Sequence, residues 1–206
     1  MLLCDIGNTS YHFFDGKRDF KEPVKNFDPT SLTQQLYYIS VNHSLTQQLQ
    51  GLDNWINLEP FIDKSNYYDS MGIDRVVATM AVDEDCVIVD AGSAVTVDVV
   101  KNGKFEGGFI YPGRDAMQKA YENISSALAL SFNFDLALDI MPKNSQDAIS
   151  YGYLKTLYCE VTSHHLPIVL TGGNAGEFLK IFKTARVDEK LIFSGMQKII
   201  QKANIC

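Results

Sequence analysis

The stretch Leu2-Leu3-Cys4-Asp5-Ile6-Gly7-Asn8-Thr9 decides the fold, because its pattern returns in Val87-Ile88-Val89-Asp90-Ala91-Gly92-Ser93. Each copy is an apolar run that ends in Asp-x-Gly and a small polar segment, and each leads into a second strand-like run. The turn pairs Asp15-Gly16 and Asn102-Gly103 close those second runs. A strand that doubles back at Asp-x-Gly makes a tight turn whose backbone N–H groups can hold a phosphate, while the carboxylate holds a metal ion or a water. Two copies therefore predict two lobes that grip one nucleotide.

The overall charge limits the partners of this chain. A formal net charge of −7, with 25 acidic against 18 basic residues, disfavours binding to nucleic acid or to an anionic membrane. A carboxylate about 5 Å from a phosphate charge repels it by roughly 3 kcal/mol at an effective dielectric constant near 20. Asp5 and Asp90 can therefore lie beside phosphate only with cations between them. The sequence predicts bound cations, and neither a nucleic-acid nor a membrane partner.

Cysteine usage points to a reducing compartment. The four cysteines are widely scattered and form no C-x-x-C pair: Cys4, Cys86, Cys159 and Cys206. No apolar run reaches the length of a membrane span. The first strand starts at or near the beginning of the chain, so a cleaved signal peptide would remove Asp5 and its turn. We expect a cytoplasmic protein.

Hydrophobic periodicity predicts an α/β protein in which three antiparallel strands followed by alternating helix and strand occur twice. The first lobe, residues 1–84, has predicted strands at 2–7, 10–15, 19–24, 37–41 and 55–58, a helix between the third and fourth strands, and helices near 43–50 and 73–81. The second lobe, residues 85–206, has predicted strands at 86–90, 94–101, 104–111, 168–171 and 190–193, and helices at 114–130, 146–163, 175–183 and 195–203.

Four motifs, in order along the chain, carry a family resemblance: Asp5-Ile6-Gly7-Asn8-Thr9, Gly72-Ile73-Asp74-Arg75, Asp90-Ala91-Gly92-Ser93-Ala94-Val95-Thr96 and Gly107-Gly108-Phe109-Ile110-Tyr111-Pro112-Gly113. Asn144-Ser145 and Thr171-Gly172-Gly173 match two weaker signatures. The chain resembles the acetate/sugar kinase, heat-shock chaperone and actin superfamily, and within it the type III pantothenate kinases. The resemblance implies two similar ribonuclease H-like lobes, each strand-strand-strand-helix-strand-helix, that face each other across a nucleotide cleft. Ser93 and Ser145 stand where the family more often has Thr, which keeps the hydroxyl, and the loop before Gly72 is shorter than usual.

The function that the resemblance implies is the ATP-dependent phosphorylation of pantothenate to 4'-phosphopantothenate, the first step of coenzyme A biosynthesis. It further implies Mg²⁺ with the ATP, a monovalent cation (K⁺ or NH₄⁺), and a homodimer in which the helix after Pro112-Gly113 contacts the second subunit. Two alternatives remain open. One is a nucleotide-binding regulatory or accessory factor of the same fold without kinase activity, and the other is a kinase for another small hydroxy acid. A Walker-type phosphate loop is absent from the sequence.

The acceptor side of the implied site centres on Asp74. By resemblance this residue is the catalytic general base that accepts or orients the proton of the pantothenate hydroxyl. Spacing alone favours a first-turn helix acid stabilised by the macrodipole; the flanking Gly72 and Arg75 and the other motifs favour the base instead. Ser145 could contact substrate, cap the helix that follows it, or do both. The implied substrate-binding set is Tyr68 (chosen over Tyr67), Gly72, Ile73, Asp74, Arg75 and Ser145.

The nucleotide side of the implied site comes from the two Asp-x-Gly turns. The implied nucleotide-binding set is Asp5, Ile6, Gly7, Asn8, Thr9, Ser10, Tyr11, His12 and Ser93, with backbone contacts rather than imidazole chemistry at His12. Asp90 matches the residue that holds the monovalent cation, although it could merely cap its own turn. A single Asp-x-Gly could be only a hairpin turn; its repetition favours phosphate binding.

Overall fold

The computed structural model describes residues 1–205, which divide into two compact units. One unit comprises residues 1–82 together with the segment from Lys190 onward, and the other comprises residues 83–189. Within residues 1–205, no helix combines the length and the apolar character that a bilayer crossing requires.

The first unit is a five-stranded sheet in the order β3-β2-β1-β4-β5. β1 is antiparallel to β2 and parallel to β4. The strands and helices of residues 1–82 are β1 (Leu2–Ile6), β2 (Ser10–Phe14), β3 (Asp19–Pro23), β4 (Leu36–Ser40), α1 (His43–Leu49), β5 (Trp55–Asn57) and α2 (Ile73–Ala81).

The second unit repeats this arrangement. Its elements are β6 (Cys86–Ala91), β7 (Ala94–Lys101), β8 (Lys104–Pro112), α3 (Arg114–Ile124), α4 (Ser145–Ser163), β9 (Ile168–Thr171), α5 (Ala175–Phe178) and β10 (Arg186–Val187). The sheet order, taken from the other edge, is β8-β7-β6-β9-β10. β6 is antiparallel to β7 and parallel to β9, as β1 is to β2 and β4. The identical strand order and directions confirm the predicted duplication of a ribonuclease H-like α/β lobe.

The last helix, α6 (Leu191–Ala203), belongs to the first unit. It packs against α2 and β1. The approach to α2 is so close that a Cβ on Gly195 would overlap the carbonyl oxygen of Val77. The two compact units therefore differ from the predicted lobes in the placement of residues 190–205. The amphipathic pattern of a helix indicates that one face packs on a sheet. The pattern does not indicate which of two similar sheets that is.

Successive residues of each central strand point to opposite faces of its sheet, and all of them except Asp5 and Asp90 are buried. Cys4 and Ile6 lie in an apolar cluster with Tyr38 and Trp55, whereas Asp5, between them, projects to the opposite face. Val87, Val89 and Ala91 lie in the equivalent cluster of the second unit, so Asp90 also projects to the opposite face. Each carboxylate is the penultimate residue of the first strand of its sheet.

Four predicted elements differ from the structure, and one of them is the predicted helix 175–183, of which only Ala175–Phe178 is α-helical. The predicted helix between β3 and β4 is a pair of 3₁₀ turns at Val24–Asn26 and Pro29–Ser31, because Asp28 and Pro29 favour a turn there. The predicted strand 190–193 is the first turn of α6, in which buried Leu191 and Phe193 join a helical stripe. The predicted helix 114–130 ends at Ile124, and a 3₁₀ turn at Ser126–Leu128 follows it.

Candidate active site

The first Asp-x-Gly turn joins β1 to β2 through three residues, Gly7, Asn8 and Thr9. The Gly7 amide donates to the carbonyl of Ser10 (3.0 Å), and the Val24 amide donates to the carbonyl of Thr9 (3.0 Å). Asn8 and Thr9 are exposed. The turn is therefore held by its own backbone while its tip faces solvent, which is the arrangement that backbone recognition of a phosphate requires.

Side chains that follow this turn are engaged within the first unit. Tyr11 is fully buried and its ring lies 4.8 Å from that of Phe27, so only its backbone can meet a ligand. His12 is the direct cross-strand neighbour of Asp5. Its Nε2 lies 3.0 Å from Asp19 Oδ2, and its ring packs edge-on to Phe193 of α6 at 4.8 Å. Burial lowers the pKa of His12, with a smaller opposing effect from Asp19. This engaged imidazole is consistent with the expected backbone role of His12.

Asp74 stands in the first turn of α2, with Gly72 as the N-cap residue. Asp74 Oδ1 accepts a hydrogen bond from the Arg75 amide at 2.8 Å. The carboxyl is half-buried, and desolvation raises its pKa above the ordinary value; the Arg75 amide and charge partly offset this rise. Burial that raises the pKa of a carboxylate makes it a stronger base, while the helix N-terminus at Asp74 favours the ionised form that can accept a proton.

The start of α2 and the first turn lie at the same edge of the sheet. The Val41 amide, directly after β4, donates to the carbonyl of Ile6 at 3.1 Å. A Cβ on Gly72 would lie 3.9 Å from a methyl carbon of Val41. Because β1 and β4 are parallel, their carboxyl ends meet here. The first unit thus brings the predicted groups 5–10 and 72–75 to one edge.

Arg75 is almost fully buried, although it carries a charge. Its Nη1 donates to the hydroxyl of Tyr68 at 2.5 Å. The guanidinium carbon lies 5.8 Å from the centre of the Tyr68 ring, a distance that fits contact at the hydroxyl end rather than stacking on the ring face. Tyr68 itself is 46% exposed. The pair therefore presents the Tyr68 ring to solvent at the start of α2, with the Arg75 cation buried behind it.

Tyr67 is directed elsewhere. Its hydroxyl lies 3.0 Å from Thr79 Oγ1, and Thr79 Oγ1 in turn donates to the Val76 carbonyl at 2.8 Å. Since a threonine hydroxyl has one proton, Tyr67 is the donor in the first of these hydrogen bonds. The contact fastens the loop before Gly72 to the buried side of α2.

The second Asp-x-Gly turn is shorter than the first, with only Gly92 and Ser93 between β6 and β7. The Gly92 amide donates to the Ala94 carbonyl at 3.0 Å, and Ser93 is exposed. A Cβ on Gly113 would overlap the carbonyl of Ser93 and lie 2.8 Å from the carbonyl oxygen of Gly92. The motif around Gly113 is therefore the steric support of this turn.

Asp90 lies against Gly172, a residue of a weaker motif that sequence reasoning left out of the site. A Cβ on Gly172 would overlap Asp90 Oδ1, and Gly172 adopts a left-handed φ of +86° that favours glycine. The Asn174 amide donates to the Ala91 carbonyl at 2.9 Å. The available signal was a Thr-Gly-Gly run after a buried strand, which turned out to be the parallel neighbour of β6.

Ser145 is the first residue of α4, and Asn144 rather than Ser145 is its N-cap. The Asn144 side chain accepts from the Asp147 amide at 2.9 Å, which corrects the predicted capping role of Ser145. Ser145 is exposed. Two turns further along α4, about 12 Å away at 1.5 Å per residue, the Tyr153 hydroxyl donates to the Pro112 carbonyl at 2.8 Å.

A metal ion bound at either turn would need ligands in addition to the protein side chains. In the described part of the chain, no three His, Cys, Asp or Glu side chains group closely enough to hold an ion. A single carboxylate beside polyphosphate oxygens is how Mg²⁺ is commonly held in phosphoryl-transfer sites. Asp5 would supply such a carboxylate, and Asp90 would supply a hard oxygen donor of the kind that suits an alkali cation.

Two five-stranded sheets of the same strand order, each with an Asp-x-Gly turn after its central strand, define a duplicated ribonuclease H-like α/β protein. The model of the type III pantothenate kinase family matches residues 60–164. A type III pantothenate kinase of Sulfurimonas denitrificans is 58% identical over 206 residues, 100% of both chains. One from Campylobacter jejuni subsp. jejuni is 40% identical over 205 residues, which cover 98% of this chain and 97% of its own. The chain belongs to the type III pantothenate kinase family.

A solved structure has the same fold as this chain. A protein from Campylobacter jejuni, described as a conserved Baf family transcriptional activator, is 37% identical and superimposes with a TM-score of 0.89 over 100% of both chains.

Proposed function

We propose that this protein transfers the γ-phosphoryl group of ATP to the primary hydroxyl of pantothenate. One observation carries the proposal: a half-buried carboxylate, Asp74, with a raised pKa stands at the same sheet edge as a phosphate-type turn. The type III pantothenate kinase family model matches this chain, and a relative that is 58% identical carries the same name. Both findings support pantothenate as the substrate.

Asp74 acts on the acceptor. Phosphoryl transfer demands mainly positioning and charge neutralisation, so one carboxylate that orients the hydroxyl and accepts its proton is sufficient. Its raised pKa brings its basicity closer to the operating pH than that of an exposed aspartate. Arg75, held by Tyr68, orients pantothenate through its carboxylate or amide. The hydroxyl of Tyr67 is engaged with Thr79, which supports Tyr68 as the substrate contact. Gly72 and Ile73 contribute backbone, and Ser145 contributes its exposed hydroxyl.

The two glycine turns act on the nucleotide. The backbone from Asp5 to His12 holds the β- and γ-phosphates, and Asp5 holds the Mg²⁺ shell. Ser93 contacts phosphate, and Asp90 holds K⁺ or NH₄⁺. The cations remove the repulsion between these carboxylates and the triphosphate, which is otherwise about 3 kcal/mol for one pair of charges near 5 Å.

We further propose a cytoplasmic homodimer. α3 has no fully buried residue, and Ile124 at its end is 72% exposed. A helix that its own unit leaves uncovered, with an exposed isoleucine at its end, suits a subunit contact made by the helix after Pro112-Gly113. Cys4 and Cys86 are buried free thiols, which fits a reducing compartment. A fully active monomer in sedimentation would refute the dimer.

The test is a coupled assay of ADP release with pantothenate, with and without K⁺. Pantothenate-dependent turnover that K⁺ stimulates is expected. ATP binding without turnover of pantothenate or any small hydroxy acid would favour the regulatory factor, while turnover of a different hydroxy acid would favour a related kinase. The presence of Asp74 favours an enzyme, since a scaffold has no use for a base at that position.

A further inference from the structure

The second Asp-x-Gly turn, residues 90–93, is enclosed by two separate segments of its own unit. On one side, Gly113 lies against the carbonyls of Gly92 and Ser93. On the other side, Gly172 lies against Asp90, and the Asn174 amide binds the Ala91 carbonyl at 2.9 Å. Both approaches depend on backbone atoms in close contact, so a small shift of either segment would move the turn.

An ion pair joins these two flanking segments. Arg114, directly after Gly113, donates from Nη1 to both carboxylate oxygens of Glu177, at 2.6 and 2.7 Å. Glu177 is coupled to the second segment because its amide donates to the Asn174 carbonyl at 3.0 Å. Arg114 Nε also donates to Asp115 at 2.8 Å, which fixes the plane of the guanidinium.

We propose that Arg114 and Glu177 are positioning residues that close the two flanking segments around the second turn and so set Asp90 and Ser93 for cation and phosphate. The expected kinetic effect rests on the proposed function, whereas the expected structural effect on the turn is independent of it. The pair is only partly exposed, with 30% and 41% of the two side chains accessible. A charge-assisted contact of one donor to two oxygens is directional and suits alignment more than global stability.

The test uses Arg114→Gln, Glu177→Gln and the double variant of the full-length protein, with two readouts. Hydrogen exchange of the Gly92 and Asn174 amides should accelerate roughly 3- to 10-fold in each variant, because both amides bond within the enclosed turn. The KM for ATP and the K⁺ concentration for half-maximal activity should rise by a similar factor, with the KM for pantothenate unchanged. The double variant should be no worse than either single variant, since the two side chains act as one unit.

A matched control exists in the same unit. Arg186 and Glu84 form an ion pair of 2.8 Å between exposed side chains, and Glu84 precedes the opposite end of β6. Glu84→Gln should leave both readouts unchanged. Unchanged exchange at Gly92 and Asn174 in both test variants would overturn the proposal. Faster exchange without any change in the ATP or K⁺ dependence would show that the pair has only a structural role, and would overturn its proposed role in positioning Asp90 and Ser93. A wild-type protein that does not turn over pantothenate would refute the proposed function, while the exchange data would still decide whether the pair holds the turn.

Discussion

The carboxylate of Asp74 folds back over Gly72: Oδ1 lies 2.5 Å from the position that a Cβ on Gly72 would occupy. The same oxygen accepts the Arg75 amide at 2.8 Å. The glycine before the helix therefore provides the space in which the proposed base is held. Its backbone, with φ of −58° and ψ of 137°, is one that alanine adopts without strain.

Gly72→Ala should therefore displace the base without unfolding the protein. We expect kcat to fall about 10-fold, because small misplacements of a catalytic group are costly, while the KM for ATP stays unchanged. The change in N-cap residue should cost only about 1 kcal/mol of unfolding free energy. Gly51→Ala is the control, since its Cβ would meet only the Gln48 carbonyl at an ordinary 3.8 Å. Equal kinetics for the two variants would show that Gly72 does not shape the site.

Asp74→Asn should lower kcat by about 10²- to 10⁴-fold, the usual contribution of a general base. ATP affinity, measured by calorimetry, should be close to that of the wild type, because Asp74 is placed on the acceptor side. Asp53→Asn, at an exposed position of the same unit, is the control. A comparable loss of ATP binding would put Asp74 on the nucleotide side instead.

The raised pKa of Asp74 predicts opposite pH trends for activity and stability. Turnover needs the ionised carboxylate, so kcat/KM should fall with acid through a pKa above the ordinary aspartate value. For stability, the folded pKa lies above the unfolded one, so the unfolded state binds fewer protons between the two values and the unfolding free energy decreases as pH rises. Asp74→Asn removes this penalty. The variant should thus be more stable than the wild type at neutral pH in chemical denaturation, and the difference should vanish in acid below the ordinary pKa. A constant difference across pH would contradict it.

Substitutions of the two neighbouring tyrosines should change different measured quantities, the KM for pantothenate in one case and the unfolding free energy in the other. Tyr68→Phe removes the acceptor of the buried Arg75 donor, and the KM for pantothenate should rise about 10-fold, in line with a hydrogen bond to a charged group. Tyr67→Phe instead leaves Thr79 Oγ1 without its donor and should cost about 1 kcal/mol of unfolding free energy. Each variant is the control for the other. If Tyr67→Phe raised the KM for pantothenate and Tyr68→Phe lowered only the unfolding free energy, Tyr67 would be the substrate contact instead.

Hydrophobic periodicity together with the repeated Asp-x-Gly pattern predicted a duplicated α/β arrangement, because strand alternation and turn chemistry are local properties, and the family resemblance implied its ribonuclease H-like form. Asp74 could be named from a motif, but its raised pKa depends on burial that only the folded chain creates. The partners of Asp90 came from β9 and from residues 172–174, far along the chain, and the Arg114–Glu177 pair joins residues without any shared motif. The placement of α6 was also beyond reach, since its apolar stripe suits either sheet. Contacts between distant segments are set by packing and carry no local sequence signal.

Gly172→Ala should selectively damage the cation site. The new Cβ would overlap Asp90 Oδ1, and the φ of +86° would add roughly 1–2 kcal/mol of backbone strain. We expect the K⁺ concentration for half-maximal activity and the KM for ATP both to rise, because the carboxylate must move away from its backbone neighbours. Gly176→Ala is the matched control: it lies four residues later in α5, and a Cβ there meets nothing within 4 Å. Alanine also favours a helix, so this variant should be at least as stable as the wild type in thermal unfolding. If Gly172→Ala lost stability but kept its K⁺ dependence, Asp90 would be a structural residue of the turn and the cation would have to bind elsewhere.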